Sequence, residues 1–253
     1  MIYFVGAGSG AEDLITVRGA RLLERADVII YAGSLVNPAL LSYAGEGTAV
    51  HDSARLTLEE VIALMTQAER AGLTTVRLHT GDPCLYGAIR EQMDALDELG
   101  IPYQSCPGVS SFCAAASALS MEYTLPGITQ SVIITRMEGR TSVPEMERLR
   151  LLAAHHTSMV IFLSAGLLEG VTAELLAGGL SIDTPAAIVY KASWPDEKTV
   201  ICTVGSLAQT AAEQKISKTA LIIIGEAVKQ SGYERSKLYD PSFTTEFRRG
   251  TEV

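Results

Sequence analysis

In the first half of the chain, short β-rich runs end in loops of glycine and serine, and each loop leads into a helical pattern. Ile2-Tyr3-Phe4-Val5 stops at Gly6, Gly8 and Gly10, and a helix is predicted over roughly 14–26. Val28–Tyr31 reads as the next strand and Thr74–Leu78 as another. Between them Thr57-Leu58-Glu59-Glu60 forms a capping box, in which hydroxyl and carboxylate each satisfy an end N–H group. Leu58, Val61, Ile62 and Met65 then share one helical face, and Ile89, Met93, Leu96 and Leu99 form the next stripe. Strand alternating with helix is the pattern of parallel α/β architecture, because parallel strands need a crossover long enough to hold a helix.

After Leu125-Pro126-Gly127 the rhythm changes. Ser131–Thr135, Val160–Leu163, Ala187–Tyr190, Val200–Val204 and Leu221–Ile224 are strand candidates. One strand pair is joined directly through Trp194-Pro195-Asp196 with no helix between, which predicts a mixed sheet. The expected organisation is therefore an N-terminal α/β domain over 1–122, a C-terminal α/β domain over 123–229 and a polar surface tail over 230–253. A chain of 253 residues that is 47% hydrophobic and 19% charged can bury cores for both domains.

Charge and composition remove several classes of function. Twenty basic residues against 29 acidic ones leave a net charge of −9, the opposite of what a nucleic-acid binder carries. Mean hydropathy is +0.22, yet apolar runs such as Met159–Leu163 and Ala220–Ile224 fall far short of the ~18 residues of a membrane span. Met1 leads straight into a strand pattern, so no leader is expected and the predicted location is the cytoplasm. Cys84, Cys106, Cys113 and Cys202 lack redox or zinc spacing, and the adjacent His155 and His156 point to different sides of a helix. No protein-bound metal is predicted.

Chemistry must then come from the loops. Gly6, Gly8 and Ala11 satisfy a dinucleotide-type spacing, but no carboxylate follows the second strand at Tyr31-Ala32-Gly33 to hold a ribose, and Asp27 lies at the wrong end. An NAD-dependent oxidoreductase stays open as an alternative on the glycines alone. No Gly-Lys-Ser/Thr follows, which excludes a Walker A loop. In Gly81-Asp82-Pro83-Cys84-Leu85-Tyr86-Gly87, Asp82 is expected to cap a helix that has Pro83 at its first position. Pro107-Gly108-Val109-Ser110-Ser111 precedes an alanine-rich helix. Three such loops at the carboxyl ends of parallel strands converge on one crevice, the place where open α/β sheets bind small molecules.

Together these loops resemble the tetrapyrrole methylases, the class III S-adenosylmethionine-dependent methyltransferases. The family's VGAGPGDP start stands here as VGAGSGAE, with Ser9 and Glu12 in place of the two prolines; its GDPxxYG motif is GDPCLYG, and its PGVS loop is PGVSS. Tyr31–Val36, His79–Met93, Leu125–Thr141 and Tyr190–Lys198 resemble the corrinoid branch in particular. The resemblance runs from residue 1 to about 228. It implies two α/β domains, a cofactor in the cleft between them, and a homodimer. It also implies that Ser9, Thr80, Gly81, Asp82, Leu85, Ser110, Ser111, Leu163, Ser164, Ala192 and Ala220 line the S-adenosylmethionine site. The acid that some members place after the second strand is absent, so no base role carries over from it.

The implied reaction is attack of a macrocycle carbon on the sulfonium methyl group, with S-adenosylhomocysteine as the product. It needs neither metal nor oxyanion hole, and Tyr31, Ser34 and Tyr86 are the side chains placed to orient substrate or handle a proton. A polycarboxylate tetrapyrrole needs a local basic rim on an acidic protein, and Arg55, Arg136, Arg140 and Lys191 are the candidates, since arginine forks match carboxylates. Each has an alternative as a solvated or ion-paired surface group. A methylase of another tetrapyrrole, and a non-catalytic corrinoid-binding protein, remain as further readings.

Overall fold

The computed structural model describes residues 1–33 and 35–251. The chain forms two units, one of residues 1–115 with 191–197, the other of residues 116–190 with the chain from 198 on. The strand pair anticipated around Trp194 thus has its connecting loop in the first unit.

The first unit is built on five strands: β1 (Ile2–Gly6), β2 (Val28–Tyr31), β3 (Ala49–Asp52), β4 (Thr75–His79) and β5 (Tyr103–Cys106). Their order is β3-β2-β4-β1-β5, and every pairing is parallel. The helices are α1 (Val17–Glu24), α2 (Leu58–Arg70), α3 (Arg90–Glu98) and α4 (Ser111–Ala118). Val5, Ile29, Val76 and Leu78 face one side of the sheet with Leu23 of α1, whereas Ile2, Phe4 and Ile30 face the other with Met65 of α2 and Leu96 of α3. The Thr57 capping box opens α2 as the sequence predicts. The first helix is shorter than 14–26, because Glu12–Leu14 forms a separate 3-10 turn and the Thr16 hydroxyl caps the helix by accepting from Gly19 N–H. β3 and β5, absent from the strand candidates, are the sheet edges; Ala49, Val50, Gln104 and Ser105 are exposed, which weakens the apolar pattern.

On the face covered by α2 and α3, β4 buries two basic side chains. Arg77 donates from Nε to Gln92 Oε1 at 3.1 Å and from Nη1 to the Ile30 carbonyl at 3.2 Å. Burial lowers its pKa to about 10. His79 stacks on Phe4 with ring centroids 6.2 Å apart, and its Nε2 has no hydrogen-bond partner among the described residues.

The second unit carries β6 (Val132–Arg136), β7 (Ser158–Phe162), β8 (Pro185–Tyr190), β9 (Lys198–Thr203) and β10 (Ala220–Ile224), in the order β6-β7-β10-β8-β9. β6 and β7 are parallel and all other pairings antiparallel, which makes the predicted mixed sheet. Helices α5 (Leu149–Ala153), α6 (Leu168–Ala177) and α7 (Leu207–Glu213) accompany it. Met159, Ile161, Leu175, Ile188 and Ile222 lie at the centre of its core. The tail from residue 230 is irregular apart from a 3-10 turn at Lys237–Tyr239, and Arg248 donates to the Leu238 and Asp240 carbonyls within it. Among the described residues, no helix is long and apolar enough to cross a membrane.

Candidate active site

β4, β1 and β5 are consecutive in the first sheet, so their carboxyl ends deliver the three glycine loops side by side. The loops touch backbone to backbone. A Cβ on Gly6 would lie 2.5 Å from Gly108 Cα and 2.6 Å from the Gly81 carbonyl oxygen, and one on Gly108 would lie 2.1 Å from that same oxygen. Gly8 and Gly81 exchange hydrogen bonds, Gly81 N–H to Gly8 O at 2.8 Å and Gly8 N–H to Gly81 O at 3.3 Å. Gly81 does this with φ at 60°, a conformation glycine adopts without steric cost. At Gly6 and Gly108 a side chain is excluded by this contact between the loops.

Asp82 locks this arrangement. Its Oδ1 accepts from Cys84 N–H at 2.8 Å and its Oδ2 from Gly108 N–H at 2.9 Å, tying the second loop to the third. Burial pushes its pKa up, but the hydrogen bonds from Cys84 and Gly108 outweigh it and hold the carboxyl below its ordinary value. The predicted helix cap is corrected: residues 83–86 form turns, and the next helix begins at Arg90 with no side-chain cap. Asp-Pro after a strand signals the start of a turn as readily as the start of a helix. Asp82 also raises the Cys84 thiol pKa, chiefly through their hydrogen bond, so that thiol is held protonated.

The other candidates of this unit lie on the same loops. Ser110 is buried, and Ser111 opens α4. Thr80 and Leu85 are half-buried. Tyr86 is exposed and has φ at 56°, a left-handed conformation that costs a bulky residue about 1–3 kcal/mol. Tyr31 closes β2, packed against the core on the α1 side. Ser34 lies outside the described residues. Arg55 is exposed at the end of the 3-10 turn Ser53–Arg55.

Loop 191–197 completes this edge, and sequence reasoning found only part of it. The Ser193 hydroxyl lies 2.9 Å from Ser9 Oγ and accepts from Ala11 N–H at 3.0 Å. The Trp194 indole lies so close that a Cβ on Gly10 would come within 2.1 Å of its Cδ1. Asn37 adds a hydrogen bond from Nδ2 to the Gly10 carbonyl at 2.8 Å. Ala192 is buried beside Ser193, and Lys191 sits 2.6 Å from Asp196 and 5.3 Å from the Trp194 ring centre. Ser193 and Trp194 lie within the Tyr190–Lys198 stretch that resembles the corrinoid branch but were not singled out as site residues, and Asn37 had no motif to announce it.

In the second unit, the register places four candidates along one sheet edge. Arg136 ends β6 beside Phe162 of β7, Leu163 and Ser164 follow Phe162, and Ala220 opens β10. Leu163 is 66% exposed with φ at 53°, whereas Ser164 is fully buried. The Ser164 hydroxyl donates to the Phe162 carbonyl at 2.7 Å and accepts from Met137 N–H at 2.9 Å, which fixes the turn that presents Leu163. Arg136 points its guanidinium at its own loop, donating to the Thr141 carbonyl at 3.2 Å and the Ser142 carbonyl at 2.6 Å. Arg140 is exposed on that loop.

Known proteins resemble this chain in sequence and in fold. The tetrapyrrole (corrin/porphyrin) methylase family covers residues 1–208. This chain belongs to the tetrapyrrole methylases. A cobalt-precorrin-4 C(11)-methyltransferase of Methanocaldococcus jannaschii is 50% identical to it over 98% of this chain and 96% of that protein. A precorrin-4 C(11)-methyltransferase of a Sinorhizobium species is 45% identical over 98% of each. Among solved structures, a cobalt precorrin-4 methyltransferase of cobalamin biosynthesis superposes with a TM-score of 0.88 at 47% identity, covering 90% of this chain and 95% of that one. The uroporphyrin-III C-methyltransferase of Thermus thermophilus, complexed with S-adenosylhomocysteine, gives 0.77 at 29% identity over 91% and 99%. As a tetrapyrrole methylase, the chain departs from the family start at Ser9, and there the structure shows a hydroxyl pair with Ser193 that a proline could not make.

Proposed function

We propose that this enzyme transfers the methyl group of S-adenosylmethionine to C11 of precorrin-4, or of its cobalt form, giving the corresponding precorrin-5 in cobalamin biosynthesis. The observation that carries the reading is near full-length identity of 50% with an enzyme of that activity, against 30% with the uroporphyrinogen-III C-methyltransferase of Bacillus subtilis. S-adenosylmethionine supplies an electrophilic methyl group and leaves as a neutral thioether, so the protein's task is alignment.

The first unit fits such a ligand. Gly6 and Gly108 let the three loops meet backbone to backbone, Asp82 ties the second loop to the third, and Ser110 and Ser111 bring hydroxyls to the same loops. Ser9, Thr80, Leu85 and Ala192 line the same loops, and the second unit offers Leu163, Ser164 and Ala220. Holding carbon and methyl in line accounts for about 7–11 kcal/mol of barrier lowering, the range open to proximity and orientation. Tyr31, Ser34 and Tyr86 orient the macrocycle. Arg55 and Arg140 are exposed cations suited to its carboxylates, Lys191 serves from a half-buried pair with Asp196, and Arg136 acts by shaping the loop that carries Arg140. The working form is a cytoplasmic homodimer in this reading, which sedimentation of the purified protein checks.

The test is incubation with precorrin-4, cobalt-precorrin-4 and uroporphyrinogen III, each with methyl-13C S-adenosylmethionine. A labelled methyl group at C11 of a precorrin-4 product supports the proposal; labelling of uroporphyrinogen III alone overturns it. Titration with S-adenosylhomocysteine and with NAD⁺ separates the oxidoreductase alternative, and turnover separates an enzyme from a corrinoid carrier.

A further inference from the structure

We propose that Asp52 is the carboxylate that faces the macrocycle and takes up the proton released during methyl transfer. The inference deepens the reading above and rests on it. When a ring carbon gains a methyl cation, a C–C bond forms, the C–S bond breaks and its electron pair stays on sulfur. The macrocycle then carries one extra positive charge, which it discharges by giving up a ring proton. Something at the edge of the first sheet has to accept it.

Several acidic groups at that edge already have partners. Both oxygens of Asp82 accept backbone N–H groups. Asp196 is paired with Lys191, and Glu197 accepts from Ser193 N–H. His79 is turned into the core on the α2 and α3 side. Glu12 and Asp13 are exposed in a 3-10 turn. Asp52 differs from all of these. It ends β3, in register with Tyr31 at the end of β2, so the two side chains leave the same face of neighbouring strands.

Its carboxylate is half-buried and aimed by the backbone. Oδ1 accepts from Gly33 N–H at 3.1 Å and from Ala54 N–H at 2.8 Å. Among the described residues no hydrogen bond reaches Oδ2. The carboxylate also occupies the space a side chain at position 33 would take: a Cβ on Gly33 would lie 2.1 Å from Oδ1 and 2.4 Å from Oδ2. The sequence lacks an acid directly after β2, and the fold supplies one there from the adjacent strand. Among the described residues, two hydrogen bonds on one oxygen and none on the other describe an acceptor held in position with its second oxygen open. The capping of the Ser53–Arg55 turn accounts for Ala54 alone; it leaves the Gly33 contact and the open oxygen unexplained.

Asp52→Asn separates these roles, because the amide oxygen still accepts from Gly33 and Ala54 while the basic oxygen is lost. The wild type, Asp52→Asn and Asp52→Ala are compared for methyl transfer to precorrin-4 and to uroporphyrinogen III, S-adenosylhomocysteine affinity and melting temperature. The expected result for Asp52→Asn is a kcat lower by about 10²–10⁴-fold, the range of a positioned base, with KM, ligand affinity and melting temperature unchanged. Added formate is expected to restore part of the Asp52→Ala rate. A kcat for Asp52→Asn within threefold of wild type, or a loss that follows ligand affinity or melting temperature, overturns the proposal while the methyl-transfer reading stands. A wild type that methylates neither macrocycle overturns that reading and this proposal with it.

Discussion

Asp82 shows how much of the site depends on single residues whose partners lie in another loop. Removing its carboxylate by Asp82→Ala leaves Gly108 N–H without its acceptor, a change worth about 1–3 kcal/mol where the group is buried. If that cost falls on the ligand-ready arrangement of the loops, S-adenosylhomocysteine affinity drops at least about tenfold, which calorimetric titration reads directly. Gly108→Ala tests the backbone contact itself. Its Cβ would meet the Gly81 carbonyl oxygen at 2.1 Å, so the second and third loops must separate. The expected outcome is loss of ligand binding together with a lower melting temperature. The residue types of this cradle were legible in the sequence because glycine at a strand end has few explanations. The partners were not: Asp-Pro reads as a helix cap, and only the fold reveals that its oxygens belong to Cys84 and Gly108.

At the scale of elements, the buried strands β2, β7 and β10 could be read from largely apolar runs, β4 from its β-rich composition, and α2 from its capping box. The edge strands β3 and β5 could not, since half of each faces solvent and a run of four residues is too short to decide. The loop between β8 and β9 was legible as a direct connection but not as a part of the other unit. Its attachment rests on Ser193, and a thermodynamic cycle measures it. Ser193→Ala removes the contacts to Ser9 Oγ and Ala11 N–H, whereas Ser9→Ala removes only the first. If the two hydroxyls act as a pair, the double variant loses less ligand affinity than the sum of the single ones, with a coupling of about 0.5–1.5 kcal/mol. Strict additivity in the titrations would show that the hydroxyl pair contributes nothing, leaving the Ala11 hydrogen bond and Trp194 packing to hold the loop. The exposed cation at Arg140 belongs to this scale too, because its presentation depends on Arg136 gripping the loop. Arg140→Ala is expected to raise the KM for the tetrapyrrole and leave S-adenosylhomocysteine affinity unchanged, and an unchanged KM removes Arg140 from the substrate rim.

Across the whole molecule, acidity and burial combine to set a pH range. The chain carries a net charge of −9 with a pI near 5.0, so its charge vanishes as the medium becomes mildly acidic. In the same interval His79 becomes a liability. Burial, and secondarily the charge of Arg77, lower its pKa from 6.5 to about 3. Above pH 6.5 the imidazole is neutral in both folded and unfolded chains and contributes no pH dependence. Below pH 6.5 the unfolded chain takes up a proton that the folded chain refuses, so stability falls as pH drops toward 3. At pH 5 this linkage amounts to about 2 kcal/mol. The lowered carboxyl of Asp82 acts further down, where protonation below its ordinary value removes its preference for the folded state. His79→Phe keeps an aromatic ring against Phe4 and removes the titration. Urea unfolding at pH 8 and pH 5 is then expected to show a drop for the wild type that is about 2 kcal/mol larger than for the variant. An equal drop in both proteins would assign the acid sensitivity to carboxylates elsewhere and leave His79 as a neutral packing residue with no part in it.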